Sequence, residues 1–273
     1  MILDVKQMQY LESQMLGEVS RICIKHNIPF FMAFGSCLGA IRHQGSIPWD
    51  SDIDITIFYD DLDRFVKIVS EEIDEHFYVY TETDYGHIVL FPRIGLRGVN
   101  PSVIHVDVFP LIGAYPSQKE QIKVFKKCNH LIKLFKYKNL DPKLKTKYFV
   151  KRVYFNFIKL CLLPITKKKI VNKYYKICRK YPIASSDKVM VLFDNNTLRN
   201  VIDKDVFGKG LMVRYDDFEV PIPSNYEYYL RNYYHNYMEY PAVSEQEYGL
   251  NKKYFISDKV IEKNDLLKKV GGE

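Results

Sequence analysis

Residues 34–58 read FGSCLGAIRHQGSIPWDSDIDITIF. From position 52 onward, polar residues alternate with isoleucine until Phe58, which is the period of a β-strand. Such a strand carries Asp52, Asp54 and Thr56 on one face and covers a hydrophobic core with the isoleucines of the other face. The preceding residues 44–51 contain a glycine and a proline and are typical of a loop. We therefore predict a loop that leads into a strand with two carboxylates on one face.

The residues before this loop predict a helix, a short strand and a second helix. Apolar side chains recur at helical spacing at Val5, Met8, Met15, Val19 and Ile22. This helix should end near His26-Asn27, because asparagine often ends a helix and a proline follows. Residues 29–34 are typical of a buried strand, which ends at the Gly35-Ser36 turn, and residues 37–43 predict a short helix.

The residues after the acidic strand extend the same alternation of helices and strands. Asp60 or Asp61 would cap a helix whose apolar face consists of Leu62, Phe65, Val66, Val69 and Ile73. Further strands are predicted at residues 77–81, 87–94 and 103–109. Pro92 lies inside the second of these, so that strand is expected at a sheet edge or a bulge.

This order predicts an α/β fold, with a small mixed sheet, helices packed on it, a helical region and a C-terminal stretch that folds back onto the core. We expect one domain over residues 1–273. Its core would span about 20–115, a lysine-rich helical region about 116–188, and a C-terminal segment about 189–273.

The charge distribution bears on partners. The net charge is +7, and the excess is concentrated between Lys119 and Lys188, whereas residues 50–84 are acidic. A basic region beside an acidic one suggests an anionic partner, although a solvated helix face gives the same pattern. Residues 153–165 are apolar between basic flanks, which fits either an interfacial helix on anionic lipid or a buried core helix.

The cysteines and the N-terminus bear on location. Five cysteines are widely spaced without a C-x-x-C pair, so neither a disulfide framework nor a zinc site is indicated. Residues 1–25 lack the apolar core of a signal peptide, and no apolar run reaches the roughly 20 residues of a membrane span. We expect a cytoplasmic protein, with peripheral contact to the inner face of a membrane as an open alternative.

Three acidic residues carry the chemistry. Asp52 and Asp54 point the same way on one strand, and at about 4 Å and an effective dielectric of about 20 their repulsion is on the order of 4 kcal/mol. Asp107 lies between apolar residues on another predicted strand, about 4.8 Å away if the two strands are neighbours. Three such carboxylates predict a site for a hard divalent cation, although Asp52 and Asp54 alone would also fit an exposed polar face.

Gly35 and Ser36 are candidate phosphate ligands. A glycine at the start of a helix lets backbone N–H groups approach a phosphate, and the serine hydroxyl can donate to it. A routine turn between strand and helix has the same sequence.

The order of these features resembles the nucleotidyltransferase superfamily with a polymerase-β-like active site. The match narrows to the LicD family, through Leu38-Gly39-Ala40, Arg42-His43, Ile47-Pro48-Trp49-Asp50 and Asp52-Ile53-Asp54-Ile55. Residues 105–111 and 219–241 resemble later elements of the family. Ser51 departs from the family's usual aspartate, and Tyr234-His235 stands where a pair containing glycine is usual.

The resemblance implies roles for these residues. Asp52 and Asp54 would bind Mg²⁺ or Mn²⁺, and Asp107 would complete the metal site or accept the acceptor's proton. Gly35 and Ser36 would hold a phosphate, and Asp50 would support the ligands. Arg42 would neutralise charge on the leaving CMP, and His43 would either do the same or satisfy hydrogen bonds of its own loop. Trp49 would stack on the base or sugar of the donor, or seal its loop against the core.

The resemblance also implies an activity. Phosphocholine, or another phospho-alcohol, would pass from CDP-choline or another CDP-alcohol to a hydroxyl of a glycan or lipid-linked glycan, with release of CMP. Such glycans include teichoic acid, lipopolysaccharide and capsule. Choline is favoured by six tyrosines between residues 226 and 237, because aromatic faces bind quaternary ammonium groups. Two alternatives stay open: nucleotidyl transfer that releases pyrophosphate, and a basic module that binds a membrane surface or nucleic acid. Nucleic acid is not expected as a partner, since no RRM, KH or zinc-finger signature is present.

Overall fold

The computed structural model has a mixed α/β fold and describes residues 1–84, 86–139, 153, 156–157, 160, 163–193, 198–256, 261 and 264–271. The helices are α1 Val5–Lys25, α2 Phe34–His43, α3 Tyr59–Glu72, α4 Gln118–Asn139, α5 Lys167–Cys178, α6 Tyr226–Tyr234, α7 Val243–Leu250 and α8 Asp265–Gly271. The strands are β1 Ile2–Leu3, β2 Phe30–Met32, β3 Ile53–Phe58, β4 Phe77–Tyr80, β5 Arg93–Leu96, β6 His105–Gly113, β7 Lys188–Val191, β8 Val201–Asp203, β9 Leu211–Tyr215, β10 Phe218–Ile222 and β11 Tyr254–Phe255.

A seven-stranded mixed sheet organises the described residues. Its main path runs β2-β3-β6-β5-β4, and β7 pairs with the far half of β6 and with β8. The strands β3 and β6 are parallel, while the other pairs in this sheet are antiparallel. The parallel pair therefore lies in the middle of the sheet, where both of its faces can be covered.

Two hydrophobic clusters hold the helices on this sheet. The larger contains side chains of α1, α2, α3 and the central strands, including the three isoleucines Ile53, Ile55 and Ile57, which expose 1% or less. The smaller joins α4 and α5 to β7 and the end of β6. The lysine-rich region thus packs on the sheet through its apolar side and leaves its lysines outward.

Local sequence explains where the first helix begins and ends. Asp4 and Gln7 form a capping box at the start of α1, which satisfies two backbone N–H groups. The helix ends at Lys25, and Asn27 follows with φ 51°, as the predicted end near His26-Asn27 requires. The predicted return of the C-terminal stretch is also confirmed, since β11 pairs with β1 and Leu267 is fully buried.

Two local predictions were wrong. The strand predicted at residues 87–94 begins only at Arg93 and lies between β4 and β6 rather than at an edge. The carbonyl of Pro92 accepts a hydrogen bond from the Val108 N–H. Because Pro92 has no N–H to donate in return, the ladder of paired residues begins at Arg93. The N-cap of α3 is Phe58, which makes no side-chain cap. Asp60 and Asp61 lie in the first turn instead, where their negative charges interact favourably with the helix dipole.

The segment 153–165 lies partly outside the described residues, which include 153, 156–157, 160 and 163–165 of it. Its described large apolar side chains, Val153, Phe157, Leu160 and Leu163, each expose more than half of their surface. Among the described helices, none is both long and apolar enough to cross a bilayer.

Candidate active site

The two central strands bring acidic residues together. Asp54 of β3 and Asp107 of β6 are direct partners in the parallel register, so the predicted neighbourhood of these strands is confirmed. Asp52 immediately precedes β3 and is exposed, Asp54 is half-buried, and Asp107 exposes 8%. The exposure of the acids therefore decreases from Asp52 through Asp54 to Asp107.

Asp107 is held by a base that the sequence analysis did not identify. Arg93, its partner on β5, donates from Nε to Oδ1 at 2.5 Å and from a terminal nitrogen to Oδ2 at 3.3 Å. Another terminal nitrogen of Arg93 donates to the carbonyl of Pro101. Burial acts to raise the pKa of Asp107, but His105 and Arg93 outweigh it and lower that pKa. Asp107 is therefore ionised at neutral pH.

The pKa values of three other acids are raised instead of lowered. Burial and the Asp52 and Asp107 charges raise the pKa of Asp54 well above its ordinary value. Burial, with a carboxyl–carboxyl hydrogen bond to Asp52, raises the pKa of Asp50 to about 7. Glu12 of α1 exposes 1%, and burial followed by the Asp52 charge raises its pKa strongly. This part of the molecule therefore holds more carboxyl groups than the described bases beside them can pair with.

Gly35 and Ser36 lie in the first turn of α2 rather than in a turn before it, which corrects their predicted setting. A Cβ on Gly35 would come within 2.9 Å of Asp50 Oδ2 and 3.8 Å of the Tyr234 hydroxyl. The Ser36 hydroxyl accepts the N–H of Asp54 at 2.8 Å, which ties the helix start to the acidic strand. The Phe34 N–H at the start of this helix donates to the Tyr229 hydroxyl at 3.2 Å. The N–H groups of Gly35 and Ser36 have no acceptor within the helix, so the predicted phosphate site is consistent with the geometry of these two residues.

Arg42, His43 and Trp49 form a separate cluster with the C-terminal segment. One terminal nitrogen of Arg42 donates to the carbonyls of Tyr237 and Glu239 at 3.0 Å each, and its Nε donates to His43 Nε2. Its guanidinium lies 4.7 Å from the centre of the Tyr240 ring, which also packs against His43 and Trp49.

These contacts hold the loop that contains Trp49 against the C-terminal segment. In the described structure, no hydrogen bond or ion pair joins Arg42, His43 or Trp49 to the site acids Asp52, Asp54 and Asp107. The interpretations in which His43 satisfies the loop and Trp49 seals it account for what is observed. A role of Arg42 on CMP stays a prediction, since it requires the guanidinium to leave two carbonyls.

Sequence reasoning missed two residues around the acids, Glu12 and Arg93, whereas Tyr234 was among the six tyrosines predicted to favour choline. Burial and the charges of Asp54 and Asp50 raise the pKa of the Tyr234 hydroxyl, which places it on the acidic side of α6. A signal existed for Glu12, because it falls on the apolar stripe of α1 among Leu11, Met15 and Leu16. No sequence signal distinguished Arg93 from any other arginine in a strand.

A cavity of about 440 Å³ borders Asp107 and Arg93. Its walls include Phe91, Phe109 and Phe193, and Lys133 of α4 lies on its rim. Lys136 and Tyr137 also line it. A ligand in this cavity would meet aromatic faces, ammonium groups and the Asp107 carboxylate together.

The donor chemistry of the acids fits a hard divalent cation, because carboxylate oxygens are the ligands that Mg²⁺ and Mn²⁺ prefer. A cation would also remove the repulsion that raises the pKa of Asp54. Within the described ranges, no group of three His, Cys, Asp or Glu side chains is already arranged at metal-binding geometry. Asp52 and Asp54 would hold the cation, with the charged Asp107 beside them.

Comparison with known proteins adds family relationships. Residues 27–155 match the family described as "LicD/FKTN/FKRP, nucleotidyltransferase domain". The chain is 26% identical over 260 residues to the lipopolysaccharide cholinephosphotransferase LicD of Haemophilus influenzae, covering 90% of this chain and 95% of that protein. It is 31% identical over 87 residues to human ribitol 5-phosphate transferase FKRP, which is 30% of this chain and 17% of that one.

A solved structure of terminal uridylyl transferase 4 from Trypanosoma brucei with bound GTP matches with a TM-score of 0.23 and 11% identity, over 59% of this chain and 55% of that one. Similarity at this level does not establish a shared fold.

Proposed function

The chain carries the nucleotidyltransferase domain of the LicD family, and on that premise we propose that it is a metal-dependent phosphotransferase. It transfers a phospho-alcohol, most readily phosphocholine, from a CDP-linked donor to a hydroxyl of a glycan or lipid-linked glycan. The observation that carries this proposal is the opposition of Asp54 and Asp107 across two parallel strands, beside a cavity large enough for part of a nucleotide donor.

The proposed reaction is an in-line displacement at phosphorus. The acceptor oxygen forms a bond to the phosphorus that bears the alcohol, the bond from that phosphorus to CMP breaks, and the acceptor's proton is released. A divalent cation on Asp52 and Asp54, when bound, would neutralise the diphosphate and the departing CMP. The N–H groups of Gly35 and Ser36 in the first α2 turn would bind a donor phosphate, beside the Asp50 carboxylate that lies against Gly35.

Asp107 suits electrostatic support better than proton transfer. Both of its oxygens are engaged by Arg93, and its pKa lies below the ordinary value, so it is a weak proton acceptor. Of the two roles considered for it, completion of the cation site is the one that we propose. Arg93 would then fix the direction of the carboxylate.

The cavity suits the donor's nucleotide part. Lys133 and Lys136 are exposed at its rim and would attract the diphosphate, while the aromatic walls offer faces for stacking. The alcohol would lie nearer to α6, where Tyr228 is 48% and Tyr234 37% exposed, whereas Tyr229 is buried in the core. Choline is supported by those aromatic faces and by the cholinephosphotransferase named above.

The donor is tested by incubating the protein with Mg²⁺ and, separately, CDP-choline, CDP-ribitol and CDP-glycerol, with a mixed glycan acceptor. CMP release from CDP-choline in the wild type, and none in Asp54→Asn, is the expected result. CMP release from only one of the polyol donors would reject choline and keep the reaction. Pyrophosphate from CTP without CMP from any donor would replace the proposal by nucleotidyl transfer.

We also propose that the protein works in the cytoplasm at the inner face of a membrane, where a lipid-linked acceptor would be reached. The exposed apolar side chains Val153, Phe157, Leu160 and Leu163, with the basic start of α5, support this location. The described cysteines Cys23, Cys37, Cys128 and Cys178 are free thiols, as a reducing compartment favours. The protein should sediment with anionic vesicles at low salt, and Phe157→Ser with Leu160→Ser should not. Equal sedimentation of both would reject this surface.

A further inference from the structure

Glu12 is a buried acid without a partner. It lies on the apolar side of α1 and exposes 1% of its surface. Neither of its carboxylate oxygens has a hydrogen bond of normal geometry within the part of the chain that the structure describes, and only the backbone N–H of His105 lies close enough to lower its pKa. Asp107, which is also buried, has Arg93 on both of its oxygens. A buried polar group with no partner is rare in proteins and calls for a ligand or a function.

The helix that carries Glu12 packs against the strands of the candidate site. α1 contacts β3, β5 and β6, which bear Asp54, Arg93 and Asp107. The charges of Asp52, Asp50 and Asp107 all act on Glu12, with Asp52 the strongest of them. Glu12 therefore lies within electrostatic range of these three acids, on a helix that the predicted site did not include.

Structural explanations do not account for this residue. An ion pair needs a base, but Arg93 is occupied by Asp107 and by the Pro101 carbonyl, and the His105 ring lies 3.6 Å from Asp107 Oδ1. A neutral carboxyl would be expected to donate a hydrogen bond, and none is present within the described part of the chain. Leucine or methionine, which occupy the neighbouring apolar positions of α1, would fill the space without a desolvated polar group.

We propose that Glu12 is a further carboxylate of the divalent-cation site, supplied by α1 in addition to Asp52, Asp54 and Asp107. This inference rests on the proposed function, from which it takes the cation. Two free carboxylate oxygens inside a region with excess negative charge are suited to a hard cation, either directly or through a water that Mg²⁺ retains.

The test measures cation binding rather than activity. Mn²⁺ binding to the full chain is followed by electron paramagnetic resonance, and thermal unfolding is recorded in EDTA and in Mg²⁺. Glu12→Gln should weaken Mn²⁺ binding by about 10–100-fold, the loss typical when a group that supports a metal site is removed. Its melting temperature in EDTA should not fall, whereas its increase on adding Mg²⁺ should be smaller than that of the wild type.

Glu18→Gln is the matched control. It removes one charge from the same helix at a partly exposed position, where Glu18 pairs with Arg21, and should bind Mn²⁺ as the wild type does. If Glu12→Gln does not fold, Glu12→Asp, which keeps the charge, is compared with Glu12→Ala. The aspartate variant should bind Mn²⁺ more tightly than the alanine variant.

The outcomes separate the two levels of the proposal. If the wild type binds Mn²⁺ and Glu12→Gln binds it within twofold, the assignment of Glu12 is overturned while the proposed function stands. If the wild type binds no Mn²⁺, both the assignment and the metal dependence of the proposed function are overturned.

Discussion

Replacing Asp50 by asparagine should stabilise the metal-free protein, and the gain should grow with pH. Asp50 Oδ1 accepts the Ser51 N–H at 2.9 Å, and its carboxyl shares a hydrogen bond with Asp52. Asparagine keeps the Oδ1 acceptor, and its amide can donate to Asp52 in place of the shared proton. The substitution therefore removes a charge while keeping both contacts.

The magnitude follows from the pKa. Burial and Asp52 raise the pKa of Asp50 from 3.8 to about 7. Between these pH values the folded protein binds more protons than the unfolded chain, so its stability falls as the pH rises. At 1.36 kcal/mol for each pH unit, Asp50 lowers the free energy of unfolding by about 4 kcal/mol at pH 7. Asparagine should recover most of this, which corresponds to roughly 10 °C in melting temperature.

The assay is urea unfolding in EDTA at pH 5, 6, 7 and 8 for the wild type and Asp50→Asn. Groups that titrate in both proteins cancel in the difference, which should increase up to about pH 7 and then level off. Asp63→Asn makes the same chemical change at a carboxylate that is 94% exposed, and should give no pH-dependent difference. A difference for Asp50→Asn that is flat from pH 5 to pH 8 would refute the reasoning.

Three further substitutions test the site. Asp54→Ala should abolish CMP release with an unchanged far-UV circular dichroism spectrum, and near-normal turnover would contradict its role. Arg93→Met should lower the free energy of unfolding by about 3–5 kcal/mol in urea titrations, because it leaves the buried Asp107 charge unpaired; adding Asp107→Asn should restore part of the loss, and no restoration would argue against the pair. Gly35→Ala should reduce turnover, because its Cβ would meet a carboxylate oxygen at 2.9 Å. Gly17→Ala, in the middle of α1 with only an aromatic ring at 3.5 Å, should instead raise stability by about 1 kcal/mol and leave turnover unchanged.

The sequence predicted the centre of the fold because the period of the acidic strand is unambiguous. Alternation from Asp52 to Phe58 identified β3, and the apolar residues around Asp107 identified β6. The parallel register of these two strands was not predicted, and it is this register that places Asp54 opposite Asp107. Local pattern was sufficient here because these strands are buried and regular.

Residues that depend on distant parts of the chain were not predictable in the same way. Arg93 pairs with Asp107 only through the β5–β6 register, which Pro92 shifts relative to the predicted strand. Arg42 was given a phosphate role because guanidinium groups suit phosphate, but its position is decided by carbonyls almost 200 residues away, at Tyr237 and Glu239. Neither pairing is encoded in local spacing.

The excess of acids connects stability with function. Glu12, Asp50, Asp52 and Asp54 approach from a helix, a loop and a strand, and the one buried base among them, Arg93, is occupied by a fifth acid. Separate elements would be expected to move apart under this repulsion, yet β3 and β6 are held by one of the longest ladders of the sheet and α1 by the hydrophobic core. Protons therefore relieve part of the repulsion in the metal-free protein, as the raised pKa values of Glu12, Asp50 and Asp54 indicate. A divalent cation would displace these protons, so its stabilisation of the folded protein should increase as the pH rises.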